Sequence, residues 1–295
     1  MKSLLLIAFA SFSMLVMPMA MAGITDGFVA LDDVRIHYLE SGPKDAAHTL
    51  LFVSGWRTSS SIWSKQLDHF SAQGYRTIAM DPRSQGGSTV VESGNSPEVR
   101  AGDIQQLIAK LKLSHLTLVG WSQGVQDVAA YVDRFGTSQV QALVLVDAPV
   151  SAGADDVTAS PGFVKVSLQG MASFSSDPRG YSLGMFHAII SAKAPPEFFA
   201  HLADEAMKTP SDIGISMLVL DFLSIDRRPA LKKFDKPTLW VASAESELLD
   251  TQRSEAAALP RGQFAVIEHA AHAVFFDQAE EFDRRLEAFV AGGGE

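Results

Sequence analysis

Leu116 to Val132 reads LTLVGWSQGVQDVAAYV. Leu116-Thr117-Leu118-Val119 is a short apolar run, the pattern of a buried strand. Val125, Val128, Ala129 and Val132 recur at spacings of three and four, one face of a helix. Between them lies Gly120-Trp121-Ser122-Gln123-Gly124, a G-x-S-x-G. A strand that turns sharply into a helix strains its central residue and lifts that side chain clear of the sheet. Glycine two positions to either side keeps backbone and helix from colliding at the turn. The helix N-terminus favours negative charge developing beside it. Ser122 is therefore the candidate nucleophile.

The rest of the chain repeats the strand–helix rhythm. Alternating runs at Gly27–Leu31 and Val34–Tyr38 flank Asp32-Asp33 as a hairpin-like start. Thr49–Val53 is apolar throughout, the mark of a strand buried on both faces. A helix is expected from Ser61 to Gln73 and a strand from Arg76 to Met80. Ser96-Pro97-Glu98 opens another helix, with serine as cap and proline at the first position. Further strands are expected at Val140–Val146, Lys236–Ala242 and Phe264–Ile267, then a helix from Glu280 to Val290. Such units build an α/β fold, a mostly parallel twisted sheet covered by helices on both faces.

Ser151 to about Phe234 breaks the rhythm. It carries Phe163, Met171, Phe174, Met185, Phe186 and Phe222 in helical surroundings. Residues 151–234 read as an inserted helical cap over the carboxyl edge of the sheet, where sites lie in such folds. Residues 23–150 and 235–295 form the core.

Composition narrows the function. Of 295 residues, 47 % are hydrophobic and 20 % charged, enough for a sizeable core. A net charge of −10 speaks against a nucleic acid or an anionic membrane surface as partner. Cysteine is absent, which removes disulfides, thiol nucleophiles and thiolate metal sites. No metal cluster or phosphate loop is evident, and no cofactor is expected. Residues 1–22 read as a signal peptide: Lys2, an apolar stretch from Leu4 to Val16, and a small-x-small site at Ala20-Met21-Ala22. The stretch is short for a membrane span. Export to a bacterial periplasm or medium follows, with cleavage before Gly23 and no membrane attachment of the mature form.

The chain resembles the α/β-hydrolase superfamily, and within it the branch of esterases and cofactor-free haloperoxidases or perhydrolases. The likeness rests on Gly55-Trp56, Trp63, Gln73–Arg76, Asp81-Pro82-Arg83-Ser84-Gln85-Gly86-Gly87-Ser88, Gly120–Gly124, Tyr131–Arg134 and Ala271-His272. Two positions depart from the family pattern. Ser54-Gly55 stands where His-Gly is usual, and Ser243-Ala244-Glu245-Ser246 stands where Gly-x-x-Asp is usual.

The resemblance implies roles. His272, in the loop after the last strand, takes the place of the base that Ser122 needs. His269 is its rival, and the other histidines read as surface or packing residues. The N–H groups of Trp56 and Gln123 stand where an oxyanion hole is expected. Gly55 is expected to let the backbone turn close to a substrate, and Trp56 and Trp121 either wall the site or pack. The acid that orients His272 is open. Asp147, ending the strand Val140–Val146, matches the acid of some haloalkane dehalogenases and is preferred to Glu245 and Glu247. These roles imply a serine esterase for small or medium apolar esters or lactones, with a small-molecule substrate as its partner. Perhydrolysis is the alternative within the class. A non-catalytic ligand-binding protein on a hydrolase scaffold is the alternative outside it.

Overall fold

The computed structural model describes residues 23–292. The expected signal peptide lies outside them. Eight strands form one sheet: β1 (Thr25–Ala30), β2 (Arg35–Ser41), β3 (Thr49–Val53), β4 (Arg76–Met80), β5 (Leu116–Trp121), β6 (Val140–Val146), β7 (Thr238–Ser243) and β8 (Gly262–Ile267). Their spatial order is β1-β2-β4-β3-β5-β6-β7-β8. β3 to β8 run parallel, while β2 is antiparallel to both β1 and β4. The hairpin-like start is thus a true hairpin whose second arm joins the parallel sheet.

Strand pleating divides the apolar runs between two cores. Leu51 and Val53 of β3, Leu118 of β5, and Leu143 and Leu145 of β6 face one core. Leu50, Phe52, Val119, Val144 and Val146 face the other. Helices α1 (Ser64–Ala72), α2 (Pro97–Lys110) and α3 (Gln123–Phe135) cover them. α3 buries Val125, Val128, Ala129 and Val132 completely, on the face its spacing predicts. Full burial of each valine contributes about 1.5 kcal/mol or more. α1 is preceded by a 3₁₀ turn, Ser60–Trp63, so the helix expected from Ser61 starts three residues later.

After β6 the chain leaves the sheet through five helices: α4 (Asp155–Ala159), α5 (Pro161–Ser176), α6 (Pro178–Ile189), α7 (Pro196–Ala206) and α8 (Ser211–Phe222). The two ends of this excursion are tied together. Ala152 pairs with Asp226 as an antiparallel bridge, and Arg227 N–H donates to Ser151 O at 2.9 Å. α9 (Leu249–Ala257) follows β7, and α10 (Val274–Asp277) and α11 (Ala279–Ala291) follow β8. Among the described residues no helix is long and apolar enough to cross a membrane.

Ladder register fixes where the strands end. Val53 pairs with Gly120, Trp121 with Val146, and Val146 with Val241. The loops holding Trp56, Ser122, Asp147 and His272 therefore leave the same edge of the sheet.

Candidate active site

Ser122 has φ 55° and ψ −119°, a conformation rare outside glycine. It persists because its surroundings leave no alternative. Ser122 N–H donates to Val146 O at 3.1 Å, and its carbonyl accepts from Val125 N–H at 2.9 Å. Both flanking glycines are obligatory. A Cβ at Gly120 would lie 2.3 Å from Gly124 O, and one at Gly124 would lie 2.6 Å from Val53 O. A Cβ at Gly55 would meet Trp121 Cε3 at 3.0 Å and Ser122 Cβ at 3.1 Å, so glycine here lets the loop lie close against the serine.

Of the three candidate acids, the structure brings Asp147 to His272. Asp147 Oδ2 lies 2.8 Å from His272 Nδ1. A carboxylate there accepts a hydrogen bond from Nδ1–H, which keeps the proton on Nδ1 and leaves Nε2 free to act as a base. Oδ1 accepts from Ser243 N–H at 2.8 Å and from Gln252 Nε2 at 3.3 Å. The side chain is almost fully buried. Glu245 and Glu247 are exposed, and neither carboxylate bonds to His272. Ser246, at the usual acid position, accepts from the same Gln252 Nε2 at 3.0 Å and so braces Asp147 at one remove. His269 is exposed.

The loop that carries His272 is pinned from several sides. Trp121 Nε1 donates to His272 O at 3.0 Å, and Ser243 Oγ donates to Ala270 O at 2.7 Å. Asp277 accepts from Ala271 N–H at 2.8 Å. Ala273 N–H donates to Ile189 O of α6 at 2.9 Å, so the excursion helps hold this loop.

Trp56 and Gln123 flank the serine. Neither backbone N–H is used by a protein acceptor among the described residues. Both residues and His272 line one small cavity of about 120 Å³ with Ser122 and Asp221. Ser122 and His272 also line a wider cavity of about 430 Å³, with Asp147, Glu245 and Glu247. No hydrogen bond joins Ser122 Oγ to His272 Nε2 in this structure, although both open on the two cavities.

A buried polar chain that sequence reading missed runs behind this wall. Gln85 Oε1 accepts from Arg57 N–H, the peptide next to Trp56, and Gln85 Nε2 donates to Gln123 Oε1 at 2.8 Å. Gln123 Nε2 donates to Asp221 Oδ2 at 2.6 Å. Asp221 Oδ1 accepts from Arg100 at 2.6 Å, and Arg100 also pairs with Asp127 at 2.8 Å. Burial raises both carboxyls against the pull of Arg100. The clue in the sequence is Asp221 itself, a lone acid in the apolar run Met217–Phe222. Arg57 clamps two inserted helices to the same loop. It donates to Ser182 Oγ at 2.7 Å and Ala206 O at 2.6 Å, and lies 4.0 Å over the Phe174 ring. Burial pulls its guanidinium down to about 10.

Among the described residues no group of three or more His, Asp or Glu side chains could hold a metal ion.

A profile of the alpha/beta hydrolase fold matches residues 48–279. The chain is 29 % identical over 273 residues to a non-heme chloroperoxidase of Kitasatospora aureofaciens, covering 88 % of this chain and 97 % of that one. It is 36 % identical over 123 residues to a bifunctional esterase/perhydrolase of Acinetobacter calcoaceticus, covering 41 % of this chain and 44 % of that one. A bromoperoxidase of Bacillus anthracis has the same fold, with a TM-score of 0.79 at 22 % identity over 90 % of this chain and all of that one.

Proposed function

As the chain belongs to the alpha/beta hydrolase fold family, we propose that it is a serine hydrolase that cleaves carboxylic esters through an acyl-enzyme on Ser122. The observation that carries this reading is the pair His272–Asp147, 2.8 Å apart, opening on the cavity that Ser122 also lines.

The chemistry follows from those positions. His272 Nε2 takes the Ser122 proton as Oγ attacks the ester carbonyl. The carbonyl oxygen gains negative charge between the unused N–H groups of Trp56 and Gln123. His272 then protonates the departing alkoxide. Water, activated by the same imidazole, releases the acid and restores Ser122. Asp147 holds the tautomer and stabilises the imidazolium that forms twice per cycle.

The test is hydrolysis of p-nitrophenyl acetate together with labelling by a fluorophosphonate. Ser122→Ala and His272→Ala should each lose about a thousandfold or more in turnover, and Ser122→Ala should lose the label. Folded variants that keep activity within about tenfold of the parent would remove the assignment.

Perhydrolysis is a second reading. The relatives named a chloroperoxidase and an esterase/perhydrolase favour it. The acyl-enzyme is the same, and hydrogen peroxide takes the place of water to release a peracid and free Ser122. Peracid formation from acetate and hydrogen peroxide, absent in Ser122→Ala, separates it from simple hydrolysis.

A further inference from the structure

Four cavities share Phe222 in their walls, and three of them bear on an ester at Ser122. The small one contains the scissile position, with Ser122, His272, Trp56 and Gln123 in its walls. The wide one continues past His272 and is rimmed by Glu245, Ser246 and Glu247. The third, of about 160 Å³, lies within the inserted helices and continues past Trp56. Met171, Tyr181, Met185, Leu218 and Phe222 line it. Trp56, Met185, Leu218 and Phe222 belong to both this chamber and the small one, so the two are neighbours. Phe163 packs on Phe222 with ring centroids 5.7 Å apart, forming the partition from the wide chamber.

Proton transfer orients an ester among them. The leaving oxygen receives its proton from His272, so the alcohol half lies on the His272 side. The carbonyl oxygen faces the N–H groups of Trp56 and Gln123. The acyl half is left to run the other way, past Trp56. We infer that the chamber bounded by Met171, Tyr181, Met185 and Leu218 binds the acyl chain, while the wide acid-rimmed chamber takes the alcohol. This rests on the serine-esterase reading and adds the substrate class: esters of unbranched aliphatic acids of medium length with a hydrated, uncharged or cationic alcohol.

The wall chemistry disfavours an acyl chain that ends in a charge. Asp156, the charged residue on this chamber, is already engaged, accepting from Ala152 N–H at 2.9 Å and Ser151 Oγ at 3.2 Å. Ser167 Oγ donates to Phe163 O at 2.9 Å. The cation Arg57 lies over the Phe174 ring and does not line this chamber. An acyl chain ending in a carboxylate would be buried there without a partner, which is costly. Thioethers and aromatic edges suit a flexible apolar chain.

The experiment is kcat/KM for p-nitrophenyl esters from two to twelve acyl carbons. Labelling rates of Ser122 by ethyl and octyl fluorophosphonates give a second readout. In the parent, both should rise by up to about fourfold per methylene until the chamber is full, then fall. Met171→Trp, which fills the end of the chamber away from Ser122, should lower the ratio of kcat/KM for the six- and eight-carbon esters to that for acetate at least tenfold. Met171→Ala should move the optimum to longer chains. An active enzyme whose chain-length profile is flat, or unmoved in both variants, overturns the acyl chamber and leaves the esterase reading standing. A parent that neither hydrolyses any ester nor takes the label overturns both.

Discussion

Gln123 Nε2 donates to Asp221 Oδ2 across 2.6 Å, joining the residue after Ser122 to the last turn of α8. Gln85 extends that link to the peptide beside Trp56. The loops carrying the two N–H groups of the proposed oxyanion hole are thus cross-braced, and the brace is anchored in the inserted helices. Gln85→Leu leaves Arg57 N–H and Gln123 Oε1 buried without partners, at about 1–3 kcal/mol of stability. Because the donors shift rather than vanish, kcat should fall by roughly tenfold, less than removal of a donor costs. KM for p-nitrophenyl acetate should stay within about twofold, since a ground-state carbonyl uses the donors weakly. A rise in KM at constant kcat would count against the brace.

Asp147→Asn should lower turnover by about a thousandfold or more, because the amide favours the wrong imidazole tautomer. Glu245→Gln and Glu247→Gln should stay within about threefold, since neither carboxylate bonds to His272. Steady-state kinetics on the three folded variants check this. Collapse in a glutamate variant alone would move the acid to the loop after β7.

What the sequence exposes in this chain is what local geometry controls. The strand, the strained serine and the helix need only neighbours along the chain, so Leu116–Val132 could be read directly. Asp147 is already preferred to Glu245 and Glu247 from its place at a strand end and the likeness to some haloalkane dehalogenases, and the structure brings it within 2.8 Å of His272 Nδ1. The Gln85–Gln123–Asp221–Arg100 chain was hidden. Its partners stand 38, 98 and 121 residues apart, and a buried polar residue carries no periodic signal until its partner is known. The chambers were hidden for a related reason. The sequence shows aromatics and methionines gathered in residues 151–234, but not whether they meet each other or leave a space.

Two glycines should respond to alanine with opposite signs. At Gly124 the added methyl meets the Val53 carbonyl at 2.6 Å, and backbone at a strand end cannot retreat. Gly124→Ala should cost about 1–3 kcal/mol, with a loss of activity as Gln123 N–H is displaced. Gly102, inside α2, has Arg134 Nη1 at 3.7 Å as the nearest neighbour of such a methyl. Gly102→Ala should gain about 0.5–1 kcal/mol from helix propensity alone. Urea unfolding midpoints at equal slope measure both.

Glu255 gives the chain a defined pH response. It lies on α9, and its Oε2 accepts from Val150 N–H at 2.8 Å. Burial pushes its carboxyl from the ordinary 4.5 up to about 7; Asp156 and Asp226 add to the rise, and the Val150 N–H and Arg228 oppose it. The folded chain therefore holds a proton that the unfolded chain has released, and folding takes one up between about pH 4.5 and 7. Stability from this group is present in full below 4.5 and is lost as pH rises through about 7. A shift of this size corresponds to an order of 3 kcal/mol at pH 8. Glu255→Gln cannot ionise and can still accept from Val150 N–H. Its unfolding free energy should match the parent near pH 4.5 and exceed it by up to that amount at pH 8. The other raised carboxyls are common to both proteins, so the difference isolates Glu255. Denaturant unfolding of the pair from pH 4.5 to 8.5 makes the measurement. A difference independent of pH would mean that Glu255 keeps an ordinary carboxyl in the folded protein.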